Sequence, residues 1–295
     1  MSNLMNSNSK RILAILALSA VIGFSFQNCG GVKFNAAVDS SKISGTPAVV
    51  SPSNTCSLQS LTVPIKLLFV VDNSGSNEIP TKNFGVNTCD PTKESNCTPA
   101  TDPTKSFRSG SISAFFDAYQ AKTNFSWGLE SFFGKSGHQF INNSDMTNFG
   151  DATLMQAAIH SFNSESAGGS TPYEGALASA KAAIANDPGL HSNSVLAPLY
   201  YIVFMSDGYP TDTLKNDNSV DFNRLDQDVA DVINLAPTRI HLNTLYYGTN
   251  NDPMAANTLQ NMAQKGNGQF LNIDTSTTKT IAIEDLIQIP NSSCH

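Results

Sequence analysis

Two short segments of this chain carry residue types whose spacing could do chemistry. One reads Asp72-Asn73-Ser74-Gly75-Ser76, a carboxylate and two hydroxyls at alternate positions, with Gly75 allowing a sharp backbone path. The other, Ser206-Asp207-Gly208, supplies a second carboxylate. Between them in the chain, Gly168-Gly169-Ser170-Thr171-Pro172 presents a hydroxyl in a glycine-rich loop. If Asp72, Ser74, Ser76, Thr171 and Asp207 converge, the two carboxylates repel in an empty pocket. A hard divalent cation removes that conflict. All-oxygen donors suit Mg²⁺ first, with Mn²⁺ or Ca²⁺ as alternatives.

The elements that must position these residues follow from periodicity. Ile65–Val71 (apolar but for Lys66) and Leu199–Met205 (apolar throughout) read as strands buried on both faces, and each runs straight into one of the acidic segments. Phe125–Phe133, His138–Asn142, Arg239–Tyr246 and Gln269–Ile273 read as further strands. Ile112, Phe115, Phe116 and Tyr119 share one helical face, as do Phe222, Leu225, Val229, Val232, Ile233 and Ala236. Residues 151–162 read as helical, and another helix opens at Asp252-Pro253 and closes at Gly266. Thr171 and Glu174 have capping-box spacing around a helix that starts at Pro172 and ends at Asn186–Gly189. This alternation predicts an α/β fold, a doubly wound and mostly parallel sheet with helices on both faces. Such folds bind ligands beyond the carboxyl ends of the strands, where both acidic segments fall.

The three segments in this order, with GGSTPYEGAL around Thr171, FMSDG around Asp207 and LQNMAQKGNGQFLNI closing the pattern, resemble the von Willebrand factor type A domain over roughly residues 62–275. The resemblance implies a metal-ion-dependent adhesion site made of Asp72, Ser74, Ser76, Thr171 and Asp207. The hydroxyls would bind the cation directly, the aspartates directly or through water. An Asp or Glu side chain of a partner protein would complete the shell, so binding would be lost in chelator. The Thr-Pro step followed by Ala176-Leu177 favours Thr171 over Ser170. One departure stands out: family members begin the first helix soon after the second serine, whereas here an insertion at about 77–105 intervenes, carrying Cys89 and Cys97. It leaves the first acidic loop and is expected to shape partner choice, together with the polar loop 209–220.

At the other end of the chain, Lys10 and Arg11 precede a charge-free run from Ile12 to Phe26, followed by Gln27, Asn28 and Cys29. The run is short for a bilayer span of about 20 residues and suits a signal-peptide core. Cys29 followed by Gly30-Gly31 resembles the lipidation site of bacterial lipoproteins, although Asn28 is larger than the residue preferred there. The organisation expected is a signal peptide at 1–28, a flexible tether at 29–55 and a domain at 56–295. That implies a lipid-anchored protein of a bacterial cell envelope, on the outer membrane or cell surface, with a periplasmic face also open. A plainly cleaved signal peptide and an uncleaved anchor are the alternatives. Cys56, Cys89, Cys97 and Cys294 then remain, an even number without zinc spacing in an oxidising compartment. Three pairings are possible; a local Cys89–Cys97 bridge leaves Cys56–Cys294 to tie the domain's ends.

Composition narrows the function. Charged residues make up 14% of the 295, against roughly 25% in typical soluble domains. A formal charge of −7 argues against nucleic acid, which needs a basic face. No H-E-x-x-H, G-x-S-x-G or phosphate-loop pattern is present, so no catalytic residues are assigned and a binding domain is expected. A docking scaffold within the envelope and, more remotely, a metal-dependent hydrolase are the rival readings.

Overall fold

A computed structural model describes residues 63–82, 87–142, 147–194, 196–248, 252–275 and 281–287. Every element below belongs to the unit Leu58–His295. The expected signal segment, Cys29, the tether, Cys56 and Cys294 lie outside the described residues. Among the described residues no helix is long and apolar enough to cross a membrane.

The elements in chain order are β1 (Ile65–Asp72), α1 (Gly75–Glu78), β2 (Thr81–Lys82), β3 (Asn87–Thr88), α2 (Ser106–Tyr119), β4 (Phe125–Phe133), β5 (Ser136–Gln139), α3 (Ala152–Ser164), α4 (Tyr173–Ala185), β6 (Leu199–Ser206), α5 (Phe222–Ile233), β7 (Ile240–Gly248), α6 (Pro253–Lys265) and β8 (Phe270–Asp274). The main sheet runs β5-β4-β1-β6-β7-β8. All its pairings are parallel except β4–β5, a hairpin at one edge. The fold is therefore the doubly wound α/β class that the alternation predicts. The shorter strand expected at His138–Asn142 begins earlier, because the hairpin turn at Gly134 (φ 68°) sets its register to Ser136–Gln139.

Helices cover both faces. Alternate residues of β1 point opposite ways: Leu68 and Val70 pack with Leu177 of α4, Val229 of α5 and Leu259 of α6. Leu67, Phe69 and Val71 pack with Phe115 of α2, Met155 of α3 and Ile283. Trp127 of β4 is buried among Phe115, Phe116 and Phe125 and is core, each such ring contributing about 1.5–3 kcal/mol by burial. This two-sided burial makes the central strands run as continuous apolar stretches.

The topology fixes where a ligand can sit. From β1 the chain winds outward through β4 and β5, then returns to the other side of β1 for β6, β7 and β8. The switch in direction lies between β1 and β6, whose carboxyl ends are Asp72 and Ser206.

Candidate metal centre

Asp72 ends β1 and is fully buried. Its Oδ1 accepts the Ser74 amide at 2.8 Å and its Oδ2 accepts the hydroxyl of Ser206, the last residue of β6. The D-x-S-x-S turn then carries the chain of contacts outward. Ser74 Oγ lies 3.2 Å from Ser76 Oγ, and Ser76 Oγ donates to Asp207 Oδ1 at 3.1 Å. Four of the five expected residues are thus linked directly.

Thr171 arrives on a separate loop. Its amide donates to Thr211 Oγ1 at 3.0 Å, and its carbonyl accepts the Thr211 amide at 2.9 Å. A methyl group placed on Gly208 would stand 3.9 Å from Thr171 Oγ1, so this hydroxyl lies over the Asp207 loop. The capping box expected for Thr171 and Glu174 is not formed. Pro172 occupies the N-cap position of α4, and Glu174 pairs with Arg224 instead. Thr171 is placed by its loop rather than by a helix-capping bond.

That loop is clasped to the first one. Gly168 N donates to Asn73 O at 3.0 Å and Gly75 N to Gly169 O at 3.2 Å. Gly169 has φ 68°, and a Cβ there would approach Gly134 Cα to 3.0 Å, so both conformation and space require glycine. Ser74, Ser76, Thr171 and Asp207 open together into one cavity of about 800 Å³, walled further by Ile79, Thr101 and Tyr209. Asp72 lies beneath it.

Burial is the main electrostatic fact. It raises the Asp72 carboxyl above its ordinary value, against the pull of the Ser206 and Ser74 hydrogen bonds. Burial, and then the charge of Asp72, push Asp207 up to about 7. The two acids therefore oppose each other's ionisation, which a nearby cation would reverse. Among the described residues no group of three or more His, Cys, Asp or Glu side chains could hold a metal. A cation here would draw on two carboxylates, neutral hydroxyls and water. Such an all-oxygen set fits a hard ion.

Several supporting residues escape sequence reasoning. Asn77 Nδ2 donates to Asp207 Oδ1 at 3.2 Å, and its own carbonyl oxygen accepts Tyr247 Oη at 2.7 Å, which sets the amide's orientation. Arg108, wholly buried, donates Nη1 to Asp72 O at 2.8 Å and to Asn73 Oδ1 at 3.1 Å. Asp102 holds that guanidinium through Nε at 3.0 Å. Tyr173 Oη donates to Gly208 O at 2.6 Å, pinning the second acidic loop. Ser206, Asn77 and Tyr173 lie in or beside the motifs in sequence; Arg108 comes from α2, Asp102 from the end of the insertion and Tyr247 from β7, and these carry no local signal.

No protein-family model and no curated protein sequence matches the chain. Solved structures similar to it include a von Willebrand factor type A protein from Catenulispora acidiphila, at 13% identity and a TM-score of 0.46, covering 71% of this chain but only 38% of that one. Another is the vWF domain of the type V pili tip protein Mfa5 from Porphyromonas gingivalis, at 14% identity and TM-score 0.47, covering 74% and 92% of the two chains. A third is the manganese-loaded TRAP protein of Plasmodium vivax, at 12% identity and TM-score 0.44, covering 73% and 70%. The likeness is one of architecture, in keeping with the sheet order. The chemistry of the site comes from its own donor atoms.

Proposed function

We propose that this chain is a cation-dependent protein-binding domain displayed on a bacterial cell envelope. The observation that carries this reading is the convergence of Ser74, Ser76, Thr171 and Asp207 on one cavity at the switch point, with Asp72 beneath them. Ser74, Ser76 and Thr171 would hold the ion directly, and Asp72 and Asp207 directly or through water. When bound, Mg²⁺ or a relative supplies a positive centre that accepts one more carboxylate. The chain's own residues do the rest. Asn77 and Ser76 fix Asp207, Ser206 and the Ser74 amide fix Asp72, and the cavity wall selects what may approach. A partner protein's Asp or Glu side chain is the ligand proposed. Cys29 is the proposed lipidation site, and Cys56–Cys294 the proposed bridge between the domain's ends.

Calorimetry of Mg²⁺ and Mn²⁺ binding tests the site. Saturable binding to the wild-type chain, abolished in both Asp72→Ala and Asp207→Ala variants that still fold, is expected. A folded wild-type chain that binds neither ion would leave a docking scaffold and remove the cation from the account. For display, Cys29→Ser is expected to move the protein from the membrane fraction to the soluble one in a bacterial host.

A further inference from the structure

Three segments meet at the first acidic loop. Asn73, between two of the expected cation residues in sequence, is fully buried, and its amide joins the first two segments. Arg108 Nη1 donates to Asn73 Oδ1 at 3.1 Å, which sets the amide's orientation and leaves Nδ2 to donate to Glu165 Oε2 at 2.9 Å. Glu165 is the residue that closes α3, and the chain runs from it alongside the first loop to Thr171. Ala167 N donates to Glu78 Oε2 at 3.1 Å, just ahead of the backbone bonds that Gly168 and Gly169 make to Asn73 and Gly75. The insertion supplies the third segment. It re-enters the domain at a neck, where Thr101 N donates to Ser76 O at 3.1 Å and Asp102 N to Asn77 O at 2.9 Å, with a Cys89–Cys97 disulfide further out. Its last residue, Lys105, is buried, with Nζ donating to the carbonyls of Phe162 and Glu165 and lying 3.3 Å from Glu78 Oε1. Those carbonyls are at the C-terminal end of α3, where a positive charge also suits the helix dipole.

We infer that Glu165 is a positioning residue of the site, clasping the start of the Thr171 loop to the D-x-S-x-S turn. This rests on the cation reading proposed above. Ser74 and Ser76 come from one loop and Thr171 from another, so their hydroxyls can share one ion only if the spacing of the two loops is fixed beforehand. Glu165 grips the turn through Asn73, and Lys105 holds its backbone carbonyl, so the Thr171 loop starts from a fixed point. Its second carboxylate oxygen, Oε1, lies 2.8 Å from His138 Nδ1, so both oxygens are engaged and the side chain keeps one orientation. Glu165 does not line the cavity and would act on the ion only through Asn73 and the loop.

The test is Mn²⁺ calorimetry on the full chain with Glu165→Ala, which removes the acceptor, and Glu165→Gln, which keeps one. Both remove the same charge, so the difference between them reports the hydrogen bond to Asn73. Glu165→Ala is expected to weaken Mn²⁺ about ten-fold, the lower range for loss of a partner behind a metal ligand. Glu165→Gln should stay close to the wild type. Amide hydrogen exchange in chelator gives a second reading without the ion. Gly168 and Gly75 should exchange about five-fold faster in Glu165→Ala, the loss of one ordinary hydrogen bond, and at the wild-type rate in Glu165→Gln. A residue serving only general stability would leave these two loop amides, which exchange by local opening, unchanged. Unchanged affinity in Glu165→Ala, unchanged exchange of the two amides, or a Glu165→Gln variant as weak as Glu165→Ala would each overturn the inference. A wild-type chain that binds no Mn²⁺ would remove the cation reading, while the exchange rates in chelator would still uphold or overturn the clasp.

Discussion

Glu130 is a buried acid that the proposed cation site does not use. It lies in mid-strand in β4, fully enclosed, with Oε2 accepting the Gln139 amide and Oε1 lacking any hydrogen-bond partner. Burial drives its pKa well above the ordinary 4.5, outweighing the hydrogen bond from Gln139. The folded state therefore keeps a proton that the unfolded chain has already released. Stability from this group is complete below pH 4.5 and falls as pH rises from there toward the raised value. Glu130→Gln, which cannot ionise, should flatten that decline and so gain stability over the wild type as pH rises to neutral. Melting temperatures from pH 4 to 8 in chelator would show it; identical slopes in the two proteins would refute the assignment. In the sequence Glu130 is an acid with nothing but its charge to recommend it. Its burial depends on β5 folding back so that Gly137 lies against the carboxylate, and no local pattern announces that contact.

The loops between elements show what was legible and what was not. Strands β1 and β6, and the acids that end them, could be read directly, because two-sided burial demands unbroken apolar runs and D-x-S-x-S follows one of them. Thr171 could be assigned to the site from its glycine-rich loop, but its capping role could not, since Glu174 is drawn to Arg224 on a helix fifty residues away. Arg108 and Tyr247 stayed hidden because each sits in an ordinary-looking element and reaches the site only through tertiary packing. Loop geometry also yields predictions. Gly134 and Gly169 both have φ 68°, but only Gly169 would push a Cβ into a neighbour, Gly134 Cα at 3.0 Å. Alanine at either should cost about 1–2 kcal/mol for the left-handed backbone. Gly169→Ala should cost more and also weaken cation binding, whereas Gly134→Ala should leave binding unchanged; chemical denaturation with calorimetry separates the two. Replacing both Cys89 and Cys97 by Ser should lower stability by about 2–3 kcal/mol, the loop-entropy value for so short a ring.

Across the whole molecule, the five expected cation residues come from three stretches, 72–76, 171 and 207, spread over more than a hundred positions. No unfolded segment holds more than part of the set, so binding and folding are linked. At a free cation concentration one hundred times its dissociation constant, the folded state should gain about 2.7 kcal/mol. Scanning calorimetry should show the melting temperature rising with Mg²⁺ and falling in chelator, with Asp207→Ala insensitive to both. The net charge of −7 favours cations over anions at this surface in a general way. It leaves the specific work to the switch-point cavity.

The insertion between the first acidic loop and α2 starts and finishes at one place on the domain. Because Ser76 and Asn77 already touch Thr101 and Asp102, the chain leaves and re-enters the domain at the same spot, and the domain beneath does not feel how long the excursion is. Closing a longer loop costs only about 0.6 kcal/mol per doubling of its length. The stretch 89–97, beyond the cavity-lining Thr88, is thus the place where length can vary. Foreign sequence could be grafted there while Asn77, Thr101 and Asp102 stay in place. Under the proposed binding role, such grafts would change what is recognised without rebuilding how it is held.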